Sequence, residues 1–259
     1  ATWGPFEGFV FGCGSALNPG TLYFTRGNDP DSAPVSHSLV VTSPREPLIT
    51  GCVWNGRAYL WSNQRLFQIL PDFGRLNIFT VIDINADRGL TSPWGFAAGD
   101  RLYWVAHDGL RASNGAGSVS ITDADLYTTF PHDGAAGIST ATVLAPDYVQ
   151  VAKFRLAYSD SFLYFDYLYN TDQPCTLVFD ARPQIAGWFV DVTTPAMRFH
   201  VNDQGAVTHA LVGVGTDGQL YSYGAASDNG TAIAVTIRTR TDDEGDPRLI
   251  KHYGDAALD

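Results

Sequence analysis

Charge is sparse in this chain. Asp, Glu, Lys and Arg together make up 17% of its 259 residues, against roughly a quarter in an average soluble domain, and Lys and Glu are both scarce. Helical signals are nearly absent: no window of 12 or more residues keeps apolar positions at i, i+3, i+4 and i+7 behind a cap. A helical bundle is thereby excluded. No stretch approaches the roughly 20 apolar residues that span a bilayer as a helix, and no basic region followed by an apolar one opens the chain, so no membrane partner is expected. There are three cysteines, Cys13, Cys52 and Cys175, widely spaced and without a Cys-x-x-Cys pair; they read as buried thiols, with their redox state left open.

Chemical motifs are missing as well. No Gly-x-Ser-x-Gly elbow occurs, and the nearest run, Gly12-Cys13-Gly14-Ser15, lacks its flanks. There is no phosphate loop, no dinucleotide fingerprint, and no Ser-x-Asp-x-Gly-x-Thr-Trp box of the sialidase kind. The histidines, His37, His107, His132, His200, His209 and His252, show no metal-ligand spacing. His200 and His209 are placed to face each other across a hairpin near Asp203-Gln204-Gly205. Acidic loops at 28–31, 123–125 and 242–246 lack the calcium-ligand ladder and read as turns. The expectation is therefore no catalytic residue, no metal and no cofactor. If the chain were an enzyme, a glycosidase would use Asp166, the one acid embedded in an aromatic strand; its plainer reading is a residue on a solvated strand face.

What the sequence does contain is strand and turn material: 45% hydrophobic and 13% aromatic residues, 26 Gly and 14 Pro. Short β-branched and aromatic runs bounded by Gly, Asn or Asp recur throughout. Residues 55–69 read as strand, tight polar turn, strand, and residues 99–111 repeat the pattern, with Asp108-Gly109 as turn. A Leu-Tyr or Tyr-Leu pair stands at Tyr23, Tyr59, Tyr103, Tyr164 and Tyr221, spaced by 36, 44, 61 and 57 residues. Four-stranded propeller blades repeat at about 40 to 50 residues. The spacing predicts an all-β chain of repeated antiparallel meanders, a β-propeller, with a β-sandwich as its rival. A single propeller-like domain over 1–259 is expected, with an insertion around 115–147 (one helical turn near Thr122, Asp123 and Leu126), a half-exposed strand over 232–241, and a new segment beginning near 248. The start at Ala1 and the stop in strand-like sequence suggest an excerpt of a longer chain. Trp54, Trp61, Trp94, Trp104 and Trp188 are expected to pack between sheets, with sugar stacking open to one or two of them. Arg57, Arg65, Arg101 and Arg111 are placed on exposed strands or turns.

Four stretches carry a resemblance: residues 22–32 (LYFTRGNDPDS) followed by 41–49 (VTSPREPLI), the hairpin 56–69, and residues 238–248 (RTRTDDEGDPR). Together they resemble propeller-type virion proteins of tailed phages and prophages, of the tail tube, nozzle or accessory position. The resemblance implies a non-enzymatic structural or assembly protein of the virion. Its partners would be other virion subunits, further copies of itself in a ring, and DNA passing without sequence-specific binding. The net charge of −11 disfavours tight nucleic-acid binding and suits an acidic lumen. A secreted carbohydrate-binding or glycoside-cleaving propeller is the alternative.

Overall fold

The computed structural model describes residues 1–74, 78–84, 88–132, 135–140, 143–170, 173–182, 187–191, 198–203, 209–214, 220–222, 227–228 and 231–232, with side chains as far as Trp188. The chain divides into two compact units, Ala1–Gly224 and Ala225–Asp259.

The first unit is a β-propeller of antiparallel meanders. Blade I consists of β1 (Thr2–Phe6), β2 (Phe9–Gly12), β3 (Thr21–Phe24) and β4 (Ser38–Val40). Blade II follows as β5 (Leu48–Trp54), β6 (Arg57–Ser62), β7 (Leu66–Pro71) and β8 (Phe79–Asp83). Blade III is β9 (Phe96–Ala98), β10 (Leu102–Ala106), β11 (Gly109–Ser113) and β12 (Val119–Ser120). Blade IV is β13 (Arg155–Ser159), β14 (Phe162–Tyr169), β15 (Gln173–Asp180) and β16 (Gly187–Asp191). A three-stranded sheet comes last, β17 (Arg198–Asp203), β18 (His209–Val214) and β19 (Leu220–Ser222). In every sheet the hydrogen-bonded order is the chain order or its reverse, so each is a plain meander. In the second unit the described residues form one short antiparallel pair, β20 (Ser227–Asp228) with β21 (Thr231–Ala232).

Blades II and III bury both of their faces against their neighbours, because the pleat sends alternate side chains to opposite sides. On β6, Ala58 and Leu60 join the Phe9, Phe11 and Leu22 side chains of blade I, while Tyr59 and Trp61 join Leu102 and Trp104 of blade III. On β10 the alternate residues Tyr103 and Val105 pack with Leu163 and Phe165 of blade IV. First strands lie against first strands, β1 on β5, β9 on β13 and β13 on β17, which places them innermost, where blades converge. The approach is closest at Gly51 on β5: a Cβ there would fall 2.3 Å from the Trp3 ring of β1.

The hairpin joining first and second strands is a two-residue loop in blades I, II and IV. Both of its residues have positive φ: Glu7 (50°) and Gly8 (80°), Asn55 (48°) and Gly56 (68°), Asp160 (51°) and Ser161 (70°). That is the pattern of a type I′ turn, whose twist matches the strands it joins.

The tyrosine repeat is partly out of phase with this architecture. Tyr59, Tyr103 and Tyr164 occupy the second strands of their blades, but Tyr23 and Tyr221 lie on third strands. Phe11, on β2 and turned toward blade II, is the blade I counterpart of Tyr59. The interval between them is then 48 residues, in line with the 44 that follow. The 61-residue interval from Tyr103 to Tyr164 contains residues 121–154, between β12 and β13; the expected span 115–147 overlaps this segment and includes β12 itself. Leu126 donates its N–H to the Thr122 carbonyl at 2.8 Å in one turn, followed by a 3₁₀ turn at Tyr127–Thr129. The segment is anchored in the core by Leu126, Phe130, Val143 and Phe154, which composition did not suggest. Apart from Ala232, the strand expected over 232–241 and the segment near 248 lie outside the described residues.

Candidate functional site

The turns between second and third strands, and the links from one blade to the next, share one face of the propeller. There an open cleft of about 680 Å³ is lined by Asn63 and Gln64 of the β6–β7 turn, Arg88 and Gly89 of the link from blade II to III, and His107 and Asp108 of the β10–β11 turn. Segment 121–154 closes its other side with Pro131, His132, Ala135, Ala136 and Tyr148.

Ion pairs and hydrogen bonds fix the cleft wall. Arg88 Nε donates to Asp108 Oδ2 at 3.0 Å and an Arg111 terminal nitrogen donates to the same oxygen at 2.9 Å. Burial pushes the Asp108 carboxyl up, but the two guanidiniums outweigh it and keep its pKa below the ordinary carboxylate value. Trp104 Nε1 donates to the Arg88 carbonyl at 3.0 Å, so the link is tied to blade III through its backbone as well. Tyr148 donates its hydroxyl to the Ala106 carbonyl at 2.8 Å. Burial raises its pKa well above the usual phenol value, so it remains a donor. The His107 ring stacks on the Tyr148 ring with centroids 6.3 Å apart.

His132 is oriented by its own chain. Its Nδ1 lies 2.9 Å from the Phe130 carbonyl oxygen, and a carbonyl only accepts, so Nδ1 carries the proton. In the neutral ring Nε2 is then an acceptor. The Asn63 Oδ1 is buried with no hydrogen-bond partner, although the residue borders the same cleft.

The blade I to II link uses the same kind of clamp with the charges exchanged. Glu46, in the link, takes hydrogen bonds from Arg65 Nε at 2.9 Å and from Ser62 Oγ at 2.6 Å, and Arg65 reaches on to Asp83 at 3.0 Å. In both blades a charged link residue meets the opposite charge in the adjoining turn.

The residues singled out from sequence are placed as follows. The three cysteines are free and buried; burial raises Cys13 and Cys175 to about 11 and Cys52 to about 12, so all three are thiols at neutral pH. Asp166 is 5% exposed, which overturns its reading as a solvated strand residue. It stands in mid-sheet on β14, opposite Arg155 and Thr176 in the register, and does not line the cleft. Arg111 is also buried, drawn in by Asp108, whereas Arg57 and Arg101 are exposed as expected. His200 and His209 do not face each other: the register sets His200 opposite Val212 and His209 opposite Asp203. The β10–β11 loop is His107-Asp108, with Gly109 opening β11 at φ 134°, one residue earlier than the turn expected at Asp108-Gly109. Trp54, Trp61 and Trp104 pack between blades. Trp94 instead is 63% exposed, under the Arg155 guanidinium at 5.8 Å. Among the described residues no group of three or more His, Cys, Asp or Glu side chains is arranged to hold a metal ion.

No family model matches the chain, and no curated protein does. Among solved structures, the WD40 domain of Toxoplasma gondii coronin is similar to it at 9% identity with a TM-score of 0.41. That match covers 85% of this chain and 56% of the other, so the chain spans little more than half the length of that structure. The fold assignment rests on the sheets described above, not on this likeness.

Proposed function

We propose that the chain is a non-enzymatic structural component of a phage virion, in the tail tube, nozzle or accessory position, and that its function resides in its interfaces. The observation that carries this reading is the outer rim of the propeller. The outermost strand of each of the first three blades presents an exposed apolar side chain: Val40 on β4, Ile82 on β8 and Val119 on β12. Phe73, beside the β7–β8 turn, adds a fourth. Monomeric β-proteins blunt such edges with charge, cover them or keep them short; β4 and β12 are short but carry no charged residue. Lateral contact with further copies of the chain would bury these side chains and pair the open strand edges.

The charge distribution bears on passing DNA. Of the inner strands, β1, β5, β9 and β13 contain no Asp or Glu and one cation, Arg155, and β17 carries one acid, Asp203, and one arginine, Arg198. The net charge of −11 therefore comes from elsewhere, and an acidic lumen would belong to the ring of copies rather than to the axis of one propeller.

The deciding experiment is the mass of the full-length protein by light scattering, together with electron microscopy of its native particle. A ring of several copies with matching density at a phage tail is the expected result. A stable monomer with no place in the particle overturns the reading.

A further inference from the structure

We propose that the cleft between the β6–β7 and β10–β11 turns binds a neutral oligosaccharide. This goes beyond the structural role and does not depend on it.

Four features point to that ligand class. The cleft, at about 680 Å³, falls within the roughly 300 to 1,000 Å³ typical of small-molecule sites. Its two charged lining groups, Arg88 and Asp108, are paired with each other, so both are already engaged within the protein. Its polar groups suit hydroxyls, which donate and accept at once: Gln64 supplies both roles at the exposed rim, and His132 Nε2 is an acceptor because Nδ1 is committed to Phe130. The stacked rings of His107 and Tyr148 give an apolar surface beside these groups, matching the C–H face of a sugar ring.

The site is equipped to bind and not to cleave. Hydrolysis of a glycosidic bond takes two carboxyl groups about 5 to 9.5 Å apart. The described lining has one, Asp108, held ionised by two guanidiniums.

The test is an array of neutral and acidic glycans probed with the full chain. It is followed by titration of the protein with the strongest neutral trisaccharide while the imidazole resonances are observed by NMR. Retention of neutral glycans is expected, with the His107 and His132 ring signals shifting on titration. His132→Phe, which keeps a flat ring but removes Nε2 together with the Nδ1–H that bonds the Phe130 carbonyl, should weaken binding at least tenfold. Arg57→Ala, at the opposite end of β6, should leave it unchanged. Absence of any retained glycan, retention of sulfated or sialylated glycans only, or binding without shifts at His107 and His132 overturns the proposal. The NMR arm uses the unaltered chain, so it decides the matter even where the variant fails to fold.

Discussion

Phenylalanine builds the interface between blades I and II, whereas tryptophan and tyrosine build the one between blades II and III. In the first, Phe79 stands edge-on to Phe9, Phe11 and Phe24 with centroids 5.0 to 5.2 Å apart, and none of these rings has a polar atom. In the second, Trp54 Nε1 donates to the Gly99 carbonyl at 2.8 Å and Trp104 Nε1 to the Arg88 carbonyl at 3.0 Å. Both interfaces are buried, but only in the second are two of the rings, Trp54 and Trp104, each tied to one backbone atom. Burial holds the blades together; the Trp104 bond to the Arg88 carbonyl also fixes the link from blade II to III beside the cleft.

The sharpest break in the phenylalanine interface is Phe79→Ala. The ring is 1% exposed and its three edge contacts would leave a cavity on both blades, so a loss of about 4 kcal/mol is expected in urea unfolding. A loss below about 1 kcal/mol would mean that the interface collapses around the gap and is not a rigid contact.

Next in size is the clamp that accompanies that interface. Glu46 is 7% exposed, and the Arg65 hydrogen bonds, against the upward push of burial and with help from Ser62, keep its pKa below the ordinary 4.5. Arg65 is 40% exposed, so solvent screening reduces what the pair contributes, and Glu46→Gln should cost about 2 kcal/mol at pH 7. A carboxyl whose pKa is depressed by folding stabilises fully above its unfolded value and stops doing so as pH falls through its folded one. The gap between wild type and Glu46→Gln should therefore narrow below pH 4.5 and be constant above it. Urea midpoints between pH 7 and pH 3 check this; a gap that widens in acid contradicts the sign.

Those two predictions separate what the sequence makes legible from what it hides. The meanders were readable because turn chemistry is local: Asn55-Gly56 sits where both residues need positive φ, and the alternation on β6 shows two buried faces. The phase of the repeat was harder to read, because Leu22-Tyr23 and Leu220-Tyr221 are ordinary strand pairs that fall on third strands. The cleft went unread because its residues come from four separate segments. One signal did exist. The 44-residue interval that carries Tyr59 to Tyr103 also carries Asn63-Gln64 to His107-Asp108, so aligning the blades sets the two turns side by side. The contribution of segment 121–154 has no such signal, since Phe130, His132 and Tyr148 follow no repeat. Asp166 was misjudged because alternation assigns a solvated face to a strand that blades cover on both sides.

The tryptophan interface contains its own control. Trp61 and Trp104 are both fully buried and 6.1 Å apart, but Trp61 Nε1 has no hydrogen-bond partner while Trp104 Nε1 is bonded to the Arg88 carbonyl. Replacing either by Phe removes a similar volume. The loss of a bonded donor should make Trp104→Phe worse than Trp61→Phe by about 1 to 2 kcal/mol. Equal effects would show that ring size, and not the directional bond, sets the stability of this interface.

The smallest effect is expected where blade IV departs from blades I and II. All three close their inner hairpin with two positive-φ residues, and the second is Gly8 or Gly56 in the earlier blades but Ser161, at φ 70°, in blade IV. A residue with a Cβ in the left-handed region costs about 1 to 2 kcal/mol, and glycine avoids that while giving back roughly 0.5 to 1 kcal/mol in unfolded-state entropy. Ser161→Gly should therefore stabilise the protein by about 0.5 kcal/mol, and Gly56→Ser should destabilise it by a similar amount, since a Cβ at Gly56 meets nothing within 4 Å. Opposite signs from the two exchanges, read as shifts in unfolding midpoint, show that the backbone outweighs the hydrogen bond between the Ser161 and Tyr158 side chains. If Ser161→Gly lowers stability instead, the serine side chain makes a contact that outweighs its strain, and the blade IV turn is specialised rather than merely divergent.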